Sequence, residues 1–140
     1  MDWSKFKRGV FLVNVLGIVY DPQKRKILIG KRENDPNIKK LFWCFPGGRP
    51  DYKKDLEFYL AKEIKKKTNL NVKIKEIIFA KTYPEKREFL SIYYCCKTSE
   101  CKGKAGEKFK EVKWIKPSNA AKYFTTSLHP KILEYLKKLD

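Results

Sequence analysis

The sequence has very few of the residue types that usually build metal centres. It contains a single histidine, His129, a single glutamine, Gln23, and no pair of cysteines with the C-x-x-C spacing. Structural zinc sites usually take several Cys or His ligands at short, regular spacings, so the sequence argues against one. The four cysteines are instead expected to be free, mostly buried thiols in a reducing compartment.

Long apolar runs are also absent. No stretch is long enough to span a membrane, and the charged residues 1–8 lead into strand-like sequence rather than into the apolar core of a signal peptide. Hydrophobic residues make up 42% of the 140 positions, as in a globular protein with one core. We therefore expect one domain over residues 1–140, located in the cytoplasm and without a membrane partner.

Acidic residues are scarce relative to basic ones. The chain has 33 Lys and Arg against 16 Asp and Glu, which gives a net charge of +17. Such an excess favours phosphate-bearing partners, including nucleotides and RNA. The lysines are scattered along the whole chain, however, and this distribution indicates a generally solvated basic surface. RNA binding through that surface is kept as an alternative.

The most informative stretch is an aromatic segment that runs into Pro46-Gly47-Gly48 and is followed by a helical pattern. Residues 55–67 contain neither Gly nor Pro, and their apolar residues recur at helical spacing, at Leu56, Leu60 and Ile64. Asn69 then stands where a helix favours a residue that tolerates left-handed geometry. The stretch predicts a strand, a glycine loop, a helix and a stop.

The remaining chain alternates between strand-like and helical patterns. β-Branched and aromatic residues predict further strands, and a polar loop precedes the aromatic segment. Two later segments have helix-start signals, one at Pro117-Ser118-Asn119 and one before Pro130. The predicted strands span residues 10–20, 26–32, 41–45, 72–80, 88–97 and 111–115, the last helix spans 130–139, and loops span 33–40 and 99–109, the second of them flexible and basic. This order predicts an α/β domain.

The glycine loop and its helix resemble the Nudix box. In that pattern a Gly is followed at fixed spacing by a first Glu, an Arg-Glu pair, a Glu-Glu pair, and a final Gly and apolar residue. Counted from Gly48, the corresponding residues here are Lys54, Lys62-Glu63, Lys66-Lys67 and Asn69-Leu70. The resemblance extends from Val10 to Leu139. It implies a Nudix fold, which is a mixed β-sheet inside an α/β/α sandwich.

Residues 28–36, Trp43 and Trp114 further resemble the GDP-mannose hydrolase branch of the Nudix proteins. That likeness implies that Arg32 and Arg49 contact the diphosphate of a substrate. Several expected residues differ: Phe109 and Lys108 stand where that branch has a catalytic His and a metal-binding Gln, Lys67 replaces a Glu, and an acidic residue in the first strand falls near Gly17. The resemblance therefore supports fold and diphosphate recognition rather than that branch's mechanism.

The substituted box changes the charge of one helix face. Residues 63, 66 and 67 share a face because they are three and four positions apart. A standard box presents three carboxylates there and gathers Mg²⁺, whereas Glu63, Lys66 and Lys67 give a net +1. Glu63 is the candidate catalytic and metal-binding carboxylate, with the backbone of Gly48 as a second candidate metal ligand. Mg²⁺ or Mn²⁺ is expected to bind weakly if the protein is active, and no cofactor is expected otherwise.

Two other interpretations of this face stay open. Glu63 is equally a salt-bridged helix residue, paired with Lys67 in the favourable order. Alternatively, Lys66 and Lys67 replace the metal and place ammonium groups beside a diphosphate, because ammonium binds phosphate as a point charge.

The candidate substrate-binding residues are basic or lie in the glycine loop. They are Arg32, Arg49, Gly47, Gly48, Lys66 and Lys67. They favour a protein that binds, and at most weakly hydrolyses, a nucleoside diphosphate linked to another group, such as a nucleotide sugar. The alternative is a catalytically inactive module that binds a nucleotide or RNA. The oligomeric state stays open, with a homodimer as one alternative.

Overall fold

The centre of the molecule is a seven-stranded mixed sheet. The computed structural model describes residues 8–32, 42–99, 102–125 and 128–140. The strands are β1 (Leu12–Asp21), β2 (Lys26–Lys31), β3 (Trp43–Cys44), β4 (Gly47–Gly48), β5 (Lys73–Thr82), β6 (Phe89–Lys97) and β7 (Glu111–Ile115). They follow the order β3-β2-β1-β6-β5, with β4 also paired to β1 and β7 to β2. The β1–β6 pair is parallel, and the other pairs are antiparallel.

Helices cover both faces of this sheet. Helix α1 (Leu56–Thr68) packs Leu60 and Ile64 into a cluster that includes Val15, Val19 and Leu28 of the sheet. On the other face, a short 3₁₀ turn at Pro117–Asn119 continues into α2 (Ala120–Tyr123), which is followed by α3 (Pro130–Leu139). The core on that side holds Ile18, Ile27, Ile29, Phe45, Tyr93, Ile115, Ala120, Ile132 and Leu136. The predicted α/β/α sandwich with a mixed sheet is confirmed.

Helix ends follow the local chemistry predicted for them. Asn69 adopts φ 62°, and its N–H donates to the Lys65 carbonyl, which closes the last turn of α1. His129 precedes α3, and its Nδ1 accepts from the Lys131 N–H at 3.1 Å. His129 is thus the N-cap of α3. None of the helices in the described ranges is long and apolar enough to cross a membrane.

Two of the predicted loops differ from the structure. The glycine loop is a two-residue strand, β4, because Gly47 and Gly48 pair with Leu16 and Val15 of β1. The segment at 99–109, predicted to be flexible, docks its residues 104–107 on the end of α1 through backbone hydrogen bonds. The predicted loop at 33–40 lies outside the described residues.

The cysteines of the described chain are free thiols, as predicted. Cys95 and Cys96 point to opposite faces of β6: the side chain of Cys95 lies beside Tyr135 of α3, whereas Cys96 packs in the α1 cluster. Burial raises the pKa of the Cys96 thiol, which makes it unreactive. Cys44 forms no disulfide either, and Cys101 lies outside the described residues.

Candidate functional site

Strand β4 forms the floor of the candidate site. At Gly47, a β-carbon would strike the backbone carbonyl of Val15, so a side chain at this position would separate β4 from β1. The sequence therefore requires Gly47 for a close backbone approach. This approach fixes the Gly47 carbonyl beside the last turns of α1.

Lys67 meets that carbonyl. Its side chain is only 11% exposed, and its ammonium donates a hydrogen bond to the Gly47 oxygen. The same Nζ lies 3.8 Å from Oε2 of Glu63. Lys66 lies on the other side of the carboxylate, with its Nζ 3.6 Å from Oε1. The structure thus brings together four of the predicted residues, Gly47, Glu63, Lys66 and Lys67, with one carboxylate between two ammonium groups.

Further cations surround Lys67. Burial lowers the pKa of Lys67, and the positive charges of Arg32 and Lys108 lower it as well, against the opposing effects of Glu63 and Cys44. The charged side chains that act on this ammonium therefore include two cations and one carboxylate. An anionic ligand would reverse this imbalance.

Tyr59 covers the second glycine of β4. Its hydroxyl lies 2.5 Å from where a β-carbon on Gly48 would be, and Oε2 of Glu63 lies 3.5 Å from the same point. The pKa of Tyr59 is raised to about 12, first by burial and then by the charges of Glu63 and Asp51. Tyr59 therefore presents a protonated hydroxyl beside Glu63, where it can donate to an oxygen of a ligand.

The segment at 102–110 completes the site from the helix end. Backbone N–H groups of Lys104, Gly106 and Glu107 donate to the carbonyls of Thr68 (2.8 Å), Lys67 (2.8 Å) and Lys66 (3.1 Å). These bonds satisfy carbonyl groups that a helix leaves unpaired at its C-terminus. The same turn holds Lys108 at φ 62° near Lys67.

Phe109 fills the position at which the family resemblance would place a base. Its ring occupies the space that a side chain on Gly30 would need, and the residue is 7% exposed. The Lys67 Nζ lies 6.0 Å from the ring centroid. Phe109 closes the apolar wall of the site. Because it carries no proton-transferring group, it performs no acid–base chemistry.

The two predicted arginines lie in different surroundings. Arg32 follows β2 and lies close enough to Lys67 to lower the pKa of its ammonium. The Arg49 guanidinium lies 5.4 Å from the centroid of the Phe89 ring. Its described contact is thus with Phe89 rather than with Glu63, Lys66 or Lys67. A guanidinium such as that of Arg49 is suited to bidentate binding of a phosphate.

The side chains at this site do not suit a divalent cation. In the described part of the chain, no cluster of three or more His, Cys, Asp or Glu residues could hold a metal. Glu63 supplies one carboxylate, and the ammonium of Lys67 already stands between that carboxylate and the Gly47 carbonyl. Mg²⁺ needs oxygen ligands and is repelled by neighbouring cations, so these side chains form a poor site for it.

Tyr59 had no predicted site role, and Lys108 was identified only as the residue that stands where the GDP-mannose hydrolase branch has a metal-binding Gln. Tyr59 lies beside the apolar residues of α1 in the helical pattern, and this position indicates packing rather than a hydroxyl beside Glu63. Lys108 lies close enough to Lys67 to lower its pKa, and the nearby Gly106 approaches the Lys66 carbonyl too closely for any side chain. The Gly103 and Gly106 pair was the available signal that this segment packs closely.

Comparison with solved structures identifies the same fold in other proteins. A Nudix hydrolase from Nitrosomonas europaea matches with a TM-score of 0.75 at 20% identity, over 93% of this chain and 72% of its own. The Nudix domain of Shewanella oneidensis NrtR, complexed with ADP-ribose, matches with a TM-score of 0.68 at 18% identity, over 99% and 90% of the two chains.

A third structure is a bifunctional NMN adenylyltransferase/ADP-ribose pyrophosphatase from Francisella tularensis, complexed with AMP and a manganese ion. It matches with a TM-score of 0.71 at 21% identity, over 99% of this chain and 44% of that protein. A comparison with functionally curated proteins found no match. The family model of the NUDIX domain matches residues 10–136, and the chain therefore belongs to the Nudix family.

Proposed function

We propose that this protein binds a nucleoside diphosphate linked to another group and hydrolyses it weakly or not at all. The diphosphate would lie over β4, with Lys66 and Lys67 on one side and Arg32 and Arg49 as further donors. Tyr59 and the backbone of Gly48 would complete the contacts. Structural relatives with ADP-ribose or AMP bound support this class of ligand at the level of the fold.

One observation carries the proposal: the Glu63 carboxylate lies between the ammonium groups of Lys66 and Lys67, beside the Gly47 carbonyl. A site with this charge pattern favours a phosphate oxygen over a metal-activated water. The same two lysines that weaken a divalent site strengthen an anion site.

Weak hydrolysis follows from the residues that remain. Glu63 is the one carboxylate of the 63-66-67 face, and its two oxygens are already paired with the ammonium groups of Lys66 and Lys67. The ammonium groups would offset the negative charge of a diphosphate, but they do not lower the pKa of an attacking water as a metal does. We therefore expect turnover far below that of a metal-loaded site.

The finer proposal concerns the attached group. Arg32 and Arg49 stand at the diphosphate-binding positions of the GDP-mannose hydrolase branch that the sequence resembles, and this supports a nucleotide sugar such as GDP-mannose. The buried ring of Phe109 opposes GDP-mannose hydrolysis, since it removes the base that this reaction would need. Binding of the nucleotide sugar is thus compatible with the site, and its cleavage is disfavoured.

The decisive experiment is a product analysis on a panel of nucleoside diphosphate compounds. ADP-ribose, GDP-mannose and dinucleoside diphosphates are incubated with the wild-type protein and with Glu63→Gln, in Mg²⁺, in Mn²⁺ and in EDTA. We expect binding of at least one compound in every buffer and slow or no turnover. Failure of every compound to bind in every buffer would refute the proposal, and fast metal-dependent turnover abolished by Glu63→Gln would identify an ordinary hydrolase instead.

A further inference from the structure

We propose that the Lys67 ammonium is a built-in cation that takes the place of a divalent metal in this site, so that the diphosphate is bound without metal. The inference deepens the proposed function and rests on it for the identity of the ligand. The class of ligand is a diphosphate ester, recognised through its anionic oxygens.

The Lys67 ammonium occupies a position between two oxygen groups. Its Nζ contacts a backbone carbonyl, that of Gly47, and a carboxylate, that of Glu63. Both are oxygen ligands of the kind that bind Mg²⁺. A divalent ion between these two groups would have to displace the Lys67 ammonium, and the Lys67 side chain is only 11% exposed.

The number of donors carries the second step. An ammonium has three N–H donors; one donates to the Gly47 carbonyl, and the Glu63 carboxylate lies at ion-pair distance, 3.8 Å from Nζ. The ammonium can therefore still donate to an oxygen of the ligand. Lys66, which is 45% exposed, and Lys108 lie around the same point and can extend the contacts to a second phosphate.

The local framework carries the third step, because it holds the Lys67 side chain in place. Gly106 donates to the Lys67 carbonyl at 2.8 Å, and Phe109 closes the apolar side of the stem with its ring centroid 6.0 Å from Nζ. Because the ammonium is held beside the Gly47 carbonyl and Glu63, the site is suited to an anion rather than to a metal.

The test compares affinity for ADP and GDP in EDTA and in Mg²⁺ by calorimetry, using wild type, Lys67→Met and Lys62→Met. Lys62 is an exposed lysine of the same helix and serves as the matched control. We expect wild-type affinity to agree within about twofold between the buffers, a loss of roughly tenfold or more in Lys67→Met, and no change in Lys62→Met. Lys67→Arg, which keeps a cation, should recover part of the lost affinity.

The opposite results overturn the proposal. They are wild-type binding about tenfold tighter in Mg²⁺ than in EDTA, or equal affinities of Lys67→Met and Lys62→Met when circular dichroism shows both folded. If Lys67→Met does not fold, titration of Mn²⁺ alone decides the question. Saturable Mn²⁺ binding to the wild type that is lost in Glu63→Gln refutes the built-in cation. No Mn²⁺ binding to the wild type, together with Mn²⁺ binding to Lys67→Glu, supports the built-in cation.

Failure of the proposed function looks different from failure of this inference. If wild type binds neither ADP nor GDP in any buffer, the assigned ligand class is wrong. The Mn²⁺ titration still reports whether Lys67 occupies the metal position. If the nucleotides bind only with Mg²⁺, the ligand class stands and the built-in cation falls.

Discussion

The Lys67 ammonium donates a hydrogen bond to the Gly47 carbonyl oxygen across 20 residues of sequence. This contact ties the end of α1 to β4 and places a positive charge at the centre of the Nudix box. Its consequence is that a side chain of the chain itself, rather than a bound ion, neutralises the Glu63 carboxylate.

Restoring carboxylates should create a metal site. The double variant Lys66→Glu/Lys67→Glu returns the 63-66-67 face to three carboxylates, and hard divalent cations follow oxygen ligands and negative charge. Wild type should bind Mg²⁺ only weakly, with Kd on the order of 10⁻³ M or higher, and the variant more tightly. Calorimetry measures the affinity, and a rise in Tm on adding Mg²⁺ confirms that the ion binds the folded state.

The matched control for that variant is Lys62→Glu/Lys65→Glu, which makes the same charge change on exposed positions of the same helix. Equal gains in both variants would show a general charge effect rather than a site. Hydrolysis of a bound nucleoside diphosphate compound should also rise in the Lys66→Glu/Lys67→Glu variant. If the wild type instead hydrolyses the compound quickly and the variant hydrolyses it more slowly, Lys66 and Lys67 take part in catalysis.

The predicted arginines should contribute to affinity separately. Arg32→Ala and Arg49→Ala should each weaken binding of a nucleoside diphosphate by roughly 1.5–3 kcal/mol, as loss of a charge-assisted hydrogen bond does. Arg25→Asn is the control, because Arg25 lies in the β1–β2 turn at φ 53° and Asn tolerates that conformation. If both Ala variants bind like the control, the diphosphate lies elsewhere.

The glycines of β4 should differ in how well they accept a methyl group. Gly47→Ala drives a β-carbon into the Val15 carbonyl, so we expect a loss of about 1–3 kcal/mol in the free energy of unfolding. Gly48→Ala clashes only with the Tyr59 hydroxyl, because Glu63 Oε2 lies at an ordinary contact distance of 3.5 Å, and the Tyr59 side chain can shift away. We expect Gly48→Ala to lose less free energy of unfolding than Gly47→Ala, as measured by urea unfolding. This loss should become smaller still when Gly48→Ala is made together with Tyr59→Phe. A loss that does not decrease would contradict the assigned contact.

Phe109 should matter for stability rather than for proton transfer. Phe109→Ala empties the space over Gly30 and should lower the free energy of unfolding by roughly 3–5 kcal/mol. Phe58→Ala is the comparison, since Phe58 is 55% exposed and a surface substitution changes stability by about 0.5 kcal/mol. Phe109→His should not raise GDP-mannose cleavage. Similar stability losses at the two positions would disprove the packing role.

The parts of the fold that depend on neighbouring residues could be predicted from the sequence. The apolar spacing of Leu56, Leu60 and Ile64 identified α1, and Asn69 identified its end, because both signals depend on neighbouring residues. The i, i+4 pairing of Glu63 with Lys67 was also predictable from helix geometry and is observed at 3.8 Å.

Contacts between distant segments could not be predicted in this way. The Lys67–Gly47 hydrogen bond depends on how β4 pairs with β1, and the position of Lys108 depends on how residues 104–107 dock on α1. Likewise, nothing near Arg49 in sequence indicates that its guanidinium lies over Phe89. Each of these contacts is set by the packing of the whole sheet rather than by a local pattern.

The most direct test of the central claim is a crystal structure of the wild-type protein grown with ADP and Mn²⁺, with an anomalous map collected at the manganese edge. We predict the Lys67 Nζ between the Gly47 carbonyl and Glu63, with a phosphate oxygen at hydrogen-bond distance and no anomalous peak at that position. An anomalous peak bound to the Gly47 oxygen and Glu63, with the Lys67 side chain displaced, would contradict the account.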